Sequence, residues 1–253
     1  MKHLSLSRLG MIAILPLALG LTACNKSGSD AGAGELSGQP IAAVAPPAGK
    51  SWVETVKITD EGGYQVGNPE APIKVIEYGS LTCPHCAEFA ETAGVELRDQ
   101  YIASGRVSYE FRNMIRDAID LTLVQMVRCG APEGFFALTD QTFANQKAFF
   151  EAAQAASKEQ QEAAFASPPA QRAAAIAKLI GAVDFYAARG IAKDQANACL
   201  ADVKNAEKLA TMSNEQSQKY NIEGTPTFFI NGKKIDGNTW PLLKDALIKA
   251  GAR

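Results

Sequence analysis

The sequence predicts an α/β fold in which a long helical domain is inserted between a βαβ unit and a C-terminal ββα unit. Three observations predict it. The β-rich apolar run 73–78 and the alternating run 106–112 flank a stretch of helical spacing, and strand, helix, strand of this length implies a parallel pair. Strand signals are then missing from about 115 to 191. After that gap the apolar run from Phe228 to Ile230 meets Asn231-Gly232 and turns back, which is the pattern of a tight antiparallel hairpin.

The first residues describe an export signal. Lys2 and Arg8 precede an apolar run from Met11 to Leu21, too short to cross a bilayer comfortably, followed by small residues. Leu21-Thr22-Ala23-Cys24 resembles the lipobox of bacterial lipoproteins, which makes 1–23 a lipoprotein signal peptide and Cys24 the acylated N-terminus; ordinary cleavage nearby, with Cys24 incidental, is the alternative. Residues 24–50, mostly Gly, Ser, Ala and Pro without apolar period, read as a flexible tether with an end-to-end distance of roughly 30 Å. Cleavage removes two basic residues and no acidic one, leaving 23 Lys plus Arg against 27 Asp plus Glu, a formal charge of −4. That balance offers no clustered positive surface, so nucleic acid is not an expected partner.

The body starts with an alternating stretch at 52–58 and turns near Gly62-Gly63 and Asn68-Pro69 before the central run 73–78. Phe89, Ala90, Ala93, Val95, Leu97 and Tyr101 recur at helical spacing until Ser104-Gly105. Across 115–191, Leu121, Val124, Val127, Phe135, Leu138, Phe143, Phe149, Ile176 and Ile180 recur at three and four, with breaks at 130–134, 167–169 and near Gly190. Such spacing is what a buried helical face needs, so the phenylalanines read as core rather than as a ligand box. One more helix spans about 192–220, and Thr239 with Pro241 opens a last one that ends near Ala250.

Five cysteines less the lipidated Cys24 leave four: Cys83 and Cys86 in a CxxC, and the separate Cys129 and Cys199. An exported chain lives where disulfides persist, and an even remainder reads as two bridges. Of the three possible pairings the CxxC pair is local, so Cys129–Cys199 is expected as a structural disulfide. The only histidine outside the signal is His85, which excludes a histidine-based triad and a two-histidine metal site. Alone, a CxxC fits half a zinc site, a structural loop or a redox pair. Zinc would need a second paired ligand set, so neither metal nor cofactor is expected.

Position favours redox chemistry. Cys83 falls where a strand ends and a helix begins, facing free backbone amides and the positive end of the helix dipole. Cys86 lies one turn further in, as the more buried partner. Pro84 fixes the first turn without losing a hydrogen bond, and His85 adds a donor or a positive charge beside the Cys83 thiolate.

Cys83-Pro84-His85-Cys86 after a strand, a long helical insertion and Gly224-Thr225-Pro226-Thr227 before a hairpin together resemble the DsbA-like thiol:disulfide oxidoreductases of the thioredoxin superfamily. The resemblance covers about residues 52–253. It implies a thioredoxin domain over 51–114 and 192–253, with the helical domain at 115–191 inserted. It also implies that Pro226 is cis and lies against the active-site cysteines, that the backbone of Thr225 pairs with a substrate chain, and that Glu77, six residues before Cys83, moves protons for the inner cysteine. The plainer reading of Glu77 is a strand-end glutamate reaching solvent. In strongly oxidising members the residue before the matching proline is commonly valine, and threonine is familiar from isomerase or reductase relatives.

The function expected is oxidation of exported proteins with reduced cysteines by a monomer in the periplasm, anchored to the inner or outer membrane through lipid on Cys24. A membrane or soluble redox partner would restore the disulfide. The alternatives are a reductase or isomerase using the same cysteines, and a tethered client-binding chaperone module.

Overall fold

In a computed structural model the described residues are 38–253; the signal peptide, Cys24 and residues 25–37 of the expected tether lie outside them. The sheet among the described residues is mixed, in the order β1-β2-β4-β3-β5-β6, with β1 at Val56–Ile58, β2 at Tyr64–Gly67, β3 at Ile73–Gly79, β4 at Val107–Asn113, β5 at Thr227–Ile230 and β6 at Lys233–Lys234. β3 and β4 run parallel, from Ile73 opposite Val107 to Gly79 opposite Asn113. β5 pairs antiparallel to β3, with Glu77 opposite Phe228.

This is a thioredoxin fold, with three differences of detail from the expected strands and helices. The stretch 52–58 is a 3₁₀ turn at Trp52–Glu54 before strand begins at Val56. The short strand β2 was not expected; it is buried along its whole length between β1 and β4. The 192–220 helix is two helices, α8 at Lys193–Ala201 and α9 at Val203–Lys219, because Asp202 leaves helical geometry and its side chain caps the second through Asn205 N. Asn231 and Gly232 both take the left-handed conformation, φ 50° and 81°, as a two-residue hairpin turn requires.

Helix α1, Pro84–Glu96, starts on the residue after Cys83, with proline in its first turn. Between β4 and α8 lie α2 (Ala118–Val127), α3 (Phe135–Ala144), α4 (Gln146–Ala155), α5 (Lys158–Phe165), α6 (Pro169–Leu179) and α7 (Ala182–Ala187). They are not sealed off from the sheet. Phe135 of α3 stacks on Tyr64 of β2, ring centroids 3.8 Å apart, and Phe143 meets Phe111 of β4 edge-on. α8 packs on α2, α6 and α7 and is tied to the end of α2 by the Cys129–Cys199 disulfide, Cα atoms 5.9 Å apart. The boundary expected at 191/192 is therefore corrected: α8 belongs to the helical block.

The final helix, α10 at Trp240–Lys249, has Thr239 at its N-cap in extended conformation, but the threonine side chain makes no capping bond. The expected tether is also corrected from Gly38 onward. Gly38 N and Ile41 N donate to Lys249 O and Gly251 O, Val44 N donates to Ser104 O, and the Trp52 indole donates to Val44 O at 2.7 Å. Gly105 lies beneath this strap; a Cβ there would come within 2.4 Å of Val44 O. Main-chain bonding holds the strap, which is why its Gly, Ala and Pro composition gave no sign of it.

Candidate active site

β3 carries the site's inner wall and α1 its mouth. Cys83 is the N-cap of α1 with φ −87° and ψ 120°, and its side chain makes no cap bond to its own helix. The sulfur instead meets the far side of the fold: the peptide between Thr225 and Pro226 is cis, and the protonated Cys83 thiol donates to Thr225 O at 3.1 Å. The strand-end cysteine thus meets the residue before the pre-hairpin proline, Thr225, 142 positions away. An open groove runs past Cys83 and His85, between Ile115 and Arg116 on one side and Ile222 and Glu223 on the other.

The two cysteines are electrostatic opposites. The Cys83 thiol is pulled down to about 4, first by the Cys86 thiol donating to it, then, against the opposing effect of burial, by the Thr225 side chain and the backbone amides of Cys86 and His85. Cys86 is fully buried and pushed far up, by burial first, then by its bond to Cys83 and the nearby charge of Glu77. One thiol is a ready thiolate at neutral pH; the other holds its proton.

The family model described as Thioredoxin matches residues 59–250. The chain belongs to the thioredoxin family. A solved protein-disulfide isomerase from Novosphingobium aromaticivorans is 32% identical, with a TM-score of 0.69 over 73% of this chain and 94% of that one. Wolbachia pipientis alpha-DsbA1, at 23% identity and a TM-score of 0.56 over 74% of this chain and 94% of that one, shares the fold. A Rickettsia bellii relative named "Putative protein-disulfide oxidoreductase" is 28% identical over 79% of this chain and 70% of its own length. One of the same name from Rickettsia felis is 25% identical over 78% of this chain and 64% of its own length, so the chain spans about two thirds of these relatives.

Two expected site residues of this thioredoxin-family chain behave differently from their simplest reading. The His85 imidazole is exposed and faces Glu88, 3.6 Å away and one turn on; its backbone amide, not its ring, bears on the Cys83 thiolate. Glu77 does not reach solvent. It is 1% exposed, accepts a hydrogen bond from the Tyr109 hydroxyl, and is pushed up to about 8, mainly by burial and in smaller part by the charges of Asp140 and Cys83. A protonated carboxyl is therefore stored beside Cys86 at neutral pH.

Three further residues hold the site and were not foreseen. Tyr109 falls in the alternating run 106–112, which gives no sign of a task for its hydroxyl. Asp120 of α2 is fully buried and accepts from Ser80 Oγ at 2.6 Å, Leu81 N at 3.0 Å and Arg116 N at 3.1 Å. Gln146 of α4 donates to Leu81 O at 2.9 Å and Cys83 O at 3.1 Å. The helical block thus grips the loop that presents Cys83. An aspartate and a glutamine on amphipathic helices carry no local signal of such a task.

Proposed function

We propose that this DsbA-like thiol:disulfide oxidoreductase donates a Cys83–Cys86 disulfide to exported proteins with reduced cysteines. The observation that carries the reading is the opposition of the two thiols, Cys83 pulled down to about 4 and Cys86 pushed far up. A substrate thiolate attacks Cys83 Sγ, the Cys83–Cys86 bond breaks, and Cys86 leaves with the electron pair and takes a proton from Glu77. The second substrate thiolate then attacks the substrate sulfur of the mixed disulfide, and Cys83 departs as a thiolate. A low-pKa leaving group speeds that last step and stabilises the reduced enzyme, so electrons flow from client to enzyme. A membrane or soluble redox partner then takes the two electrons and restores the disulfide.

The signal-like N-terminus and the Cys24 lipobox support action in the periplasm from a lipid anchor on the inner or outer membrane. A second reading has a specific observation behind it: the Novosphingobium relative is called a protein-disulfide isomerase, and Thr225 occupies the position before the cis proline. Equilibration of the whole chain with glutathione buffers separates the two readings. An equilibrium well on the oxidising side of thioredoxin's supports donation; one at or below it supports reduction or isomerisation. Cys86→Ala, which stalls the mixed disulfide on Cys83, then captures the clients.

A further inference from the structure

The groove past Cys83 is open, about 530 Å³ in volume, and its two walls are built alike. Each presents an aliphatic side chain and then a charge: Ile115 and Arg116 at the approach to α2, Ile222 and Glu223 on the run into Gly224. The main chain of each wall is pinned. Ile115 N donates to Ser213 Oγ at 2.8 Å, and Arg116 N donates to Asp120 Oδ2 at 3.1 Å. Opposite, Ile222 N donates to Ser217 O at 2.9 Å, and Ile222 O accepts from Ser217 Oγ at 3.1 Å. The two charged side chains, by contrast, are exposed and make no hydrogen bond or ion pair with any described residue.

Neither charge serves the fold that carries it. Arg116 stands one residue before Asp117, the N-cap of α2, where the positive end of the helix dipole disfavours a cation. The Asp117 carboxylate is occupied elsewhere, accepting from Asp120 N at 2.8 Å and from Thr82 Oγ1 at 3.3 Å. We infer that Arg116 and Glu223 select clients by the charges that flank the client cysteine: an acidic residue on the side of Arg116, a basic one on the side of Glu223, and apolar contact with Ile115, Ile222 and the buried Met114 between them. The inference rests on the exchange proposed at Cys83 but not on its net direction.

Opposite signs on the two lips do more than attract. A client laid in the reverse direction brings like charges together on both sides, so the same pair of residues also sets the direction in which the chain lies. An ion pair at an exposed lip is weak, worth about threefold in affinity, and salt screens it. Selection of this strength chooses among thiols that all fit the groove. It leaves the chemistry to the groups that bear on the Cys83 thiolate, the Cys86 thiol, Thr225 and the amides of Cys86 and His85.

The test captures peptides on the whole chain carrying Cys86→Ala and loaded as a mixed disulfide between Cys83 and glutathione. A peptide thiolate attacks Cys83 Sγ, the peptide–Cys83 disulfide forms and glutathione leaves as a thiolate, so electrons and charge balance. A pool of single-cysteine peptides carries Asp, Lys or Asn at each position flanking the cysteine, and mass spectrometry of the first adducts gives the Asp-to-Lys ratio for each position. Comparing each variant with its parent cancels the peptides' own thiol reactivity. At positions on its side Arg116→Gln should lower that ratio about threefold and Arg116→Glu about tenfold, while Glu223→Lys should raise it about tenfold at positions on the other side. Arg116→Lys should keep the parental ratios, and high salt should flatten all of them. Parental ratios at every position in either charge swap would overturn the inference. So would a shift shared equally by all positions, which reports the net charge of the protein, or an equal loss of Asp, Lys and Asn peptides, which reports a structural fault. Capture with ratios blind to both lips sinks only the selection, whereas no capture of any peptide sinks the exchange proposed at Cys83.

Discussion

Acidifying the reduced protein from neutral pH discharges Cys83, and the cost depends on how far the fold has pulled that thiol down. In the folded chain it titrates at about 4 against an ordinary value of 9.0. A depressed folded value contributes stability that is complete only above the unfolded value and is lost as pH falls through the folded one. At pH 7 the part in force is the interval from about 4 to 7, three pH units or roughly 4 kcal/mol. The oxidised protein has no such thiolate, whereas Glu77, Asp120 and Asp140 are present in both redox states, and of these Glu77 alone is shown to feel the Cys83 charge, as its smallest cause. The gap in stability between reduced and oxidised protein therefore reports chiefly on Cys83. It should widen in favour of the reduced form by roughly 4 kcal/mol between pH 4 and pH 7, which for a two-electron couple makes the disulfide more oxidising by roughly 90 mV than one with ordinary thiols. Paired guanidinium denaturations of the two forms at several pH values read the gap, and the ultraviolet absorbance of the thiolate, with Cys83→Ala as blank, reads the titration. A gap that stays constant over this interval, or a thiolate that appears only towards pH 9, would refute the reasoning.

Glu77→Gln should remove a pH dependence of opposite sign. The folded chain holds the Glu77 proton up to about 8 against an ordinary 4.5, so the carboxyl's contribution falls as pH rises through that window, and the oxidised variant should gain on its parent by several kcal/mol between pH 5 and pH 8 while exchanging thiols more slowly. Asp120→Ala leaves Ser80 Oγ, Leu81 N and Arg116 N without their acceptor; with about 1–3 kcal/mol for each buried group left unpaired, a loss of about 3 kcal/mol in urea denaturation and an upward shift of Cys83 are expected. Replacing Cys129 and Cys199 together by alanine opens a span of 70 residues and should cost roughly 4 kcal/mol, with the Cys83 titration unmoved.

The sequence made legible those features whose cause is local. The run 73–78, the break before Cys83, Pro84 and the helical spacing after it all act within one strand or one turn, and they placed β3, α1 and Cys83 at the start of that helix. Asn231-Gly232 likewise states its own hairpin. β2 escaped because four residues cannot show a period, and the strap at 38–50 escaped because main-chain bonds to Lys249, Ser104 and Gly251 are indifferent to side-chain type. The resemblance supplied Pro226 and Glu77. Neither it nor the spacing supplied Tyr109, whose hydroxyl acts only because β4 lies beside β3 in a register that pairs Val75 with Tyr109.

The helical block is part of the catalyst rather than a decoration on a thioredoxin core. The loop before Cys83 must hold the cysteine at the start of α1 with its own amides and carbonyls satisfied elsewhere. Asp120 holds the amide of Leu81 and the hydroxyl of Ser80 from one side, and Gln146 takes up the carbonyls of Leu81 and Cys83 from the other. With those groups pinned, the amides of His85 and Cys86 are left to stabilise a thiolate. Asp140, which lines one cavity with Glu77, comes from the same block. An isolated sheet with α1 would keep the Cys83-Pro84-His85-Cys86 motif and the groups that act directly on its two thiols, but it would lose the side chains of Asp120 and Gln146 that hold the loop presenting Cys83 in place.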